Sequence, residues 1–293
     1  MDNPITIPVL LDLTQAASVT SYGIFSLSRF EGSSITDTLL EAAAELFSNH
    51  YGIWGQGAAS KVGPFAKAGW RVKISAARLR AEYLPQSENA QNVYVKAMMG
   101  ETLVGHAFAT RWEYEGRTVC WITQLVVATP HRSKGNATQL LFKVRNSGYL
   151  DLGCGILSSH PFAIKAATRA FGVGLTKADL SMTREHARSI MSCCPVGYIR
   201  EAKCKGSLFE DGQTNSGVVS CANTGFYVDH TEPLEALEII KREGISWPLG
   251  TLPDGCEFLI FVKIGSSIIS PPRSATVMET RNCQIDKVLS SNA

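Results

Sequence analysis

The sequence predicts an α/β fold of the α+β kind, with a mixed, mostly antiparallel central sheet flanked by helices and an irregular insertion before the C-terminal strand. Three observations carry this. Three β-rich runs, 92–99, 102–114 and 118–128, are joined by connections of hairpin length and so form an antiparallel meander. The third run feeds directly into 134–146, where Ala137, Leu140, Leu141 and Val144 recur at helical spacing. A short strand at 155–158 and a helix at 161–171 follow, so the block from 92 to 171 reads β-β-β-α-β-α.

Ahead of the meander, 36–50 places Leu39, Leu40, Ala43 and Phe47 on one helical stripe, after Ser33, Ser34, Thr36 and Asp37, which are helix-capping types. The glycine-rich stretch 52–63 reads as a loop, and 75–83 as a second helix ending near Pro85. After Gly174, 177–191 has a helical pattern, whereas 193–227 mixes Gly, Ser, Asn and Cys without a period and is expected to be irregular. A short amphipathic helix at 233–242 precedes the strand 257–264, which is able to complete the sheet. The tail from Pro271 is expected to pack poorly.

A chain of 293 residues that is 45% hydrophobic can bury one sizeable core or two modest ones, so neither a disordered nor a fibrous class is needed. The 28 basic and 26 acidic residues are interspersed. No long-range field is expected to collect nucleic acid or an anionic membrane. The eight cysteines are scattered and the N-terminus has no leader-like pattern, so a reducing, cytoplasmic location is expected. Cys193, Cys194, Cys204 and Cys221 lack paired C-x-x-C spacing, so no metal is expected.

The chemistry centres on Arg132-Ser133-Lys134-Gly135-Asn136-Ala137, which follows a strand and opens a helix. There, backbone N–H groups and the positive end of the helix dipole meet an anion, and a diphosphate would fit. Gly135 permits close approach of the main chain, Ala137 keeps the helix start small, and Arg132 and Lys134 add positive charge. By itself such a pattern is also what an ordinary helix start with a basic face looks like.

With its flanks, LVVATPHRSKGNATQLL, the segment resembles the signature of the Gcn5-related N-acetyltransferase superfamily, whose coenzyme A loop reads (Gln or Arg)-x-x-Gly-x-(Gly or Ala) after an apolar strand. The order of elements from Leu39 to Phe171 is similar to that family's. The resemblance implies an N-terminal extension at 1–35, an acyl-CoA-binding core at 36–173, an insertion or lid at 174–230, a helix and strand completing the core at 231–270, and a tail at 271–293. It implies acetyl-CoA, or another acyl-CoA, as co-substrate. The pantetheine arm would lie between the main chain of Leu125, Val126 and Val127 on one side and Ser158, Ser159 and His160 on the other. Arg132, Ser133, Lys134, Gly135, Asn136, Ala137 and Thr138 would cradle the diphosphate, and a backbone N–H near Val126 would polarise the thioester carbonyl.

Transfer of an acyl group to an amine needs a neutral nucleophile, donors for the developing oxyanion and a proton for the leaving thiolate. Family members often carry a Glu on the motif strand and a Tyr in the last helix; here those places fall to Gln124 and Ala167. The remaining candidates are His131, Ser158, Cys154 and His160. Each has a plainer reading: His160 as the cap of the following helix, Cys154 as a small buried filler, and Ser158 as a strand-end hydrogen-bonding group. Trp54 is a better candidate for an acceptor pocket than Trp121, which core packing explains.

The function expected first is acyl-CoA-dependent N-acyl transfer to a small-molecule amine. The missing Glu and Tyr equally suit an acyl-CoA-binding protein without amine transfer, such as a thioester decarboxylase, an O-acyl transferase or a sensor. A non-enzymatic interaction module is the third reading.

Overall fold

The structure is a computed structural model that describes residues 24–145, 151–210 and 217–264. Its strands are β1 (Phe25–Glu31), β2 (Gln91–Met99), β3 (Thr102–Tyr114), β4 (Arg117–Val127), β5 (Gly153–Ser158), β6 (Lys203–Lys205), β7 (Cys221–Asn223) and β8 (Cys256–Lys263). They form one sheet in the order β1-β2-β3-β4-β5-β8-β7-β6. Every neighbouring pair is antiparallel except β4 and β5, which run parallel. The β3–β4 hairpin turns on Glu115 and Gly116, both at positive φ, the two-residue geometry that matches the twist of the flanking strands.

The helices are α1 (Asp37–His50), α2 (Ala58–Lys61), α3 (Ala76–Tyr83), α4 (Asn136–Arg145), α5 (Pro161–Phe171), α6 (Ser181–Ser192), α7 (Gly197–Glu201) and α8 (Thr231–Arg242). Alternation along the strands assigns them to faces. Val93, Val95, Ala107, Ile260 and Val262 pack with α4 and α5. Tyr94 and Phe108 pack with α1 and α3, while Trp112, Trp121, Leu259 and Phe261 pack with α6 and α7. The two sets of large rings share the face opposite α4 and α5, and α8 packs on α5. Gly155 is small for a packing reason, since a Cβ there would lie 2.2 Å from the buried Trp121 ring.

The structure differs from the sequence expectation in four places. Residues 25–31, assigned to the N-terminal extension, are an edge strand paired with β2. The stretch 52–63 contains the single-turn α2, and α4 starts at Asn136 rather than 134, because Gly135 at φ 82° breaks the helix before it. The stretch 193–227, expected to be irregular, carries α7 and two strands that extend the sheet beyond β8, while α6 corresponds to the expected helix at 177–191. Those strands are three residues each, too short to show alternation. The first 23 residues, Asn146, Cys283 and the tail lie outside the described residues.

Candidate functional site

The site begins where β4 and β5 part. They pair only at Cys120–Cys154, Trp121–Gly155 and Ile122–Ile156. Beyond these, the ladder between β3 and β4 shifts register at Phe108/Ala109, leaving Thr123 as an extra residue, a bulge of the kind that bends a strand. β4 then runs on to Val127 and β5 to Ser158 without pairing, and the gap between them is open.

Register fixes which main-chain groups face this gap. Ala128 N–H donates to Val104 O at 2.9 Å, so alternation turns the N–H groups of Val126 and Gln124 toward β3 and those of Leu125 and Val127 away from it. Val127 O indeed accepts from Arg132 Nε, off the β3 side, at 3.0 Å. The backbone N–H expected near Val126 is therefore not Val126's own: Leu125 and Val127 on either side present their amides to the gap.

Past β4, a 3-10 turn at Thr129–His131 leads into the loop and α4. Ser133 (φ 58°) and Gly135 (φ 82°) are both left-handed, a backbone pattern in which successive N–H groups converge on an anion. Among the described residues, none of the N–H groups from Ser133 to Thr138 has a protein acceptor. Arg132 does not share this availability. Its guanidinium reaches Val127 O, His50 O and the Glu232 carboxylate, so it clamps the loop to the end of α1 and the start of α8. Lys134 Nζ donates to Pro130 O, and Asn136 Nδ2 to His131 O, both at 2.9 Å. The positive charge assigned to Arg132 for a diphosphate is thus committed within the protein, and the backbone is what remains free.

Around the gap, on the α1 and α3 face, lies a cavity of about 230 Å³. It is lined by Gln124, Leu125 and Ser158 from the parting strands and by aromatic rings from α1, α3, α7 and the 224–226 segment. Among its lining residues is Glu257, 5% exposed, the second residue of β8. Burial raises its carboxyl to about 7, with Thr224 drawing it partly back. Tyr51, Tyr83 and Tyr198 also line the cavity, and burial pushes all three phenols up, with the negative charge of Glu257 adding to each. Tyr198 donates to Thr123 O in the bulge at 2.8 Å.

A buried His106 orders the other wall. Its Nε2 lies 2.7 Å from Gln124 Oε1, and burial lowers its pKa to about 4, so it is neutral and donates. The amide Nε2 of Gln124 is left buried without a partner, as is Thr123 Oγ1, and both residues line the cavity. Buried polar atoms without partners inside a cavity are donors and acceptors held for a ligand or water.

Of the sequence candidates, Gln124, Leu125 and Ser158 line the cavity. Ser158 Oγ accepts from His160 N–H at 3.1 Å. His160 is the N-cap of α5, accepting from Phe162 N–H at 3.2 Å through Nδ1, with Nε2 3.7 Å from Glu232; it does not line the cavity. His131 sits on the turn ahead of the loop, away from the cavity lining. Cys154 is buried in the core, and Trp54 lines the cavity whereas Trp121 does not. Sequence reasoning missed Glu257, Tyr83, Tyr198 and His106. The one available signal was a carboxylate inside the apolar run EFLIFVKI, where alternation points it to the same face as Leu259 and Phe261. Among the described residues no cluster of His, Cys, Asp or Glu has the makings of a metal site, and no helix is long and apolar enough to cross a membrane.

No family model and no curated protein matches the chain. Solved structures give matches of low similarity. An aminoglycoside acetyltransferase from an uncultured soil metagenomic sample is 12% identical, with 49% of this chain and 86% of that one covered and a TM-score of 0.33. The ribosomal-protein-S18-alanine N-acetyltransferase of Escherichia coli is 13% identical, with 49% and 74% covered and a TM-score of 0.30. An aminoglycoside 6'-N-acetyltransferase complexed with coenzyme A is 15% identical, with 82% and 98% covered and a TM-score of 0.34. Scores of this size carry no argument, and the site stands on its own geometry.

Proposed function

We propose that the protein is an acyl-CoA-dependent N-acyltransferase that takes acetyl-CoA or another acyl-CoA and transfers the acyl group to the amine of a small molecule. The observation that carries this is one arrangement: a run of unpartnered N–H groups at the start of α4, reached along a gap between parallel strands, opening on a cavity with a buried carboxylate. The loop suits a diphosphate because its N–H groups and the dipole of α4 supply partial positive charge without a side chain. The amides of Leu125 and Val127 suit an amide-bearing arm lying in the gap as an extra strand.

Acyl-CoA supplies an activated thioester carbonyl. Glu257, with its carboxyl near 7, takes a proton from the acceptor ammonium and leaves a neutral amine. The amine nitrogen then forms the C–N bond to the carbonyl carbon, the C–S bond breaks, and the second amine proton passes to the departing thiolate sulfur. Gln124 Nε2, held by His106, is placed to donate to the carbonyl oxygen or to the acceptor. A buried base beside the gap favours transfer over mere binding, since a sensor has no use for a carboxylate kept near neutrality.

Calorimetric titration with acetyl-CoA and with free CoA tests the reading, beside a Gly135→Glu variant. That variant sets a negative charge into the loop at a left-handed residue. Micromolar binding by the native protein and its loss in the variant are expected. No binding of either ligand by the native protein overturns the proposal.

A further inference from the structure

We infer that the acceptor is an arylalkyl amine carrying a single ammonium group. This deepens the transferase reading and rests on it for the chemistry, but the binding claim has its own evidence. The cavity is walled by Tyr51, Trp54, Phe65, Tyr83, Tyr198 and Phe226. Their rings form an open, edge-on group: Trp54 meets Phe226 at 5.6 Å and 70° and Phe65 at 6.2 Å and 75°, and Tyr51 is tilted 51° to Phe226. Aromatic pairs prefer such offsets, and a further ring entering the group gains the same contacts. Phe65 lines the cavity yet is 59% exposed, so an apolar ring stands at its mouth.

Charge narrows the class further. Four charged residues line the cavity: Lys73, Arg78, Glu82 and Glu257. Arg78 Nε is 2.6 Å from Glu82 Oε1, so that carboxylate is already paired. One buried acid remains for one ammonium, and Lys73, the cation outside that pair, opposes the approach of a molecule with several positive charges. A polycationic aminoglycoside or polyamine therefore fits this cavity poorly. Its volume of about 230 Å³ lies below the roughly 300–1,000 Å³ of pockets for drug-sized ligands, which suits one ring on a short arm. The partnerless Thr123 Oγ1 and Gln124 Nε2 add polar points for a hydroxyl on that ring or arm.

The test is calorimetric titration of the full chain with 2-phenylethylamine, butylamine and spermidine, without any acyl donor. Phenylethylamine is expected to bind at least about tenfold more tightly than either of the others, the scale set by burying the additional apolar surface. Glu257→Gln and Phe226→Ala should each weaken it by about tenfold or more. Phe65→Ala, which removes an exposed ring, guards against loss through misfolding and should weaken it severalfold. Equal binding of butylamine, tighter binding of spermidine, or no saturable binding of phenylethylamine overturns the inference. Binding of phenylethylamine without acetylation in the presence of acetyl-CoA would sink the transferase reading while leaving the acceptor class standing.

Discussion

At the scale of the residue, the site turns on Glu257. A carboxylate in an apolar strand is costly to ionise, and here burial holds the carboxyl near 7, close to where a general base works best. The sign for stability follows from the same displacement. Between 4.5 and 7 the unfolded chain loses this proton and the folded chain keeps it, so native stability falls as pH rises through that window. At about 1.4 kcal/mol per pH unit, the loss is about 3 kcal/mol. Glu257→Gln should remove this fall, which thermal unfolding at pH 5 and pH 8 would show as a flatter profile than that of the native protein. In transfer assays kcat/KM should rise with pH through about 7 in the native protein. The variant should lose that limb and about 10²–10⁴ in rate; a variant that keeps both would remove Glu257 from the reaction.

At the scale of the element, the segment from Thr224 to Glu232 joins parts that the sequence keeps far apart. Gly55 N–H donates to Tyr227 O and Asp229 N–H to Ile53 O, both at 2.9 Å, so this segment is tied to the loop after α1. It then delivers Glu232, in the first turn of α8, against Arg132 of the loop and His160 of α5. His160 first, then Arg132, hold the Glu232 carboxyl down to about 2, so it is charged at every working pH. A fixed negative charge paired with the guanidinium of Arg132 offsets a cation of the loop and so opposes a diphosphate. Glu232→Gln should therefore tighten CoA binding severalfold, more at low salt than at high salt, as calorimetry at two ionic strengths would report. Unchanged or weaker affinity would mean that the clamp on Arg132 matters more than the charge. The hairpins and the strand-loop-helix unit were legible because period and turn chemistry are local signals in the sequence. The clamp and the cavity were not, because Tyr51, Tyr83, Gln124, Tyr198 and Glu257 meet only through tertiary packing, and β6 and β7 are too short to alternate.

At the scale of the whole molecule, one end of the β4–β5 pair is closed and the other open, and different forces hold each. The closed end carries Arg111 of β3, fully buried, with its Nε 3.0 Å from Asp151 Oδ2 just before β5 and its NH2 3.0 Å from Val144 O at the end of α4. Arg29 of β1 caps the same helix end through Lys143 O and Val144 O. These contacts tie β1, β3, α4 and the start of β5 together below the gap, so the parting of the strands above is local and does not spread. Removing one partner of a buried ion pair strands the other, at a cost of about 3–5 kcal/mol, whereas replacing both with apolar side chains is often close to neutral. Asp151→Ala should accordingly lower the melting temperature by about 10 °C, and an Arg111→Met, Asp151→Leu pair should recover most of that loss. Because the pair lies at the closed end, the double variant should keep the native affinity for CoA. If stability returns and CoA binding does not, the closed end sets the width of the gap, and the two ends of the β4–β5 pair are mechanically one.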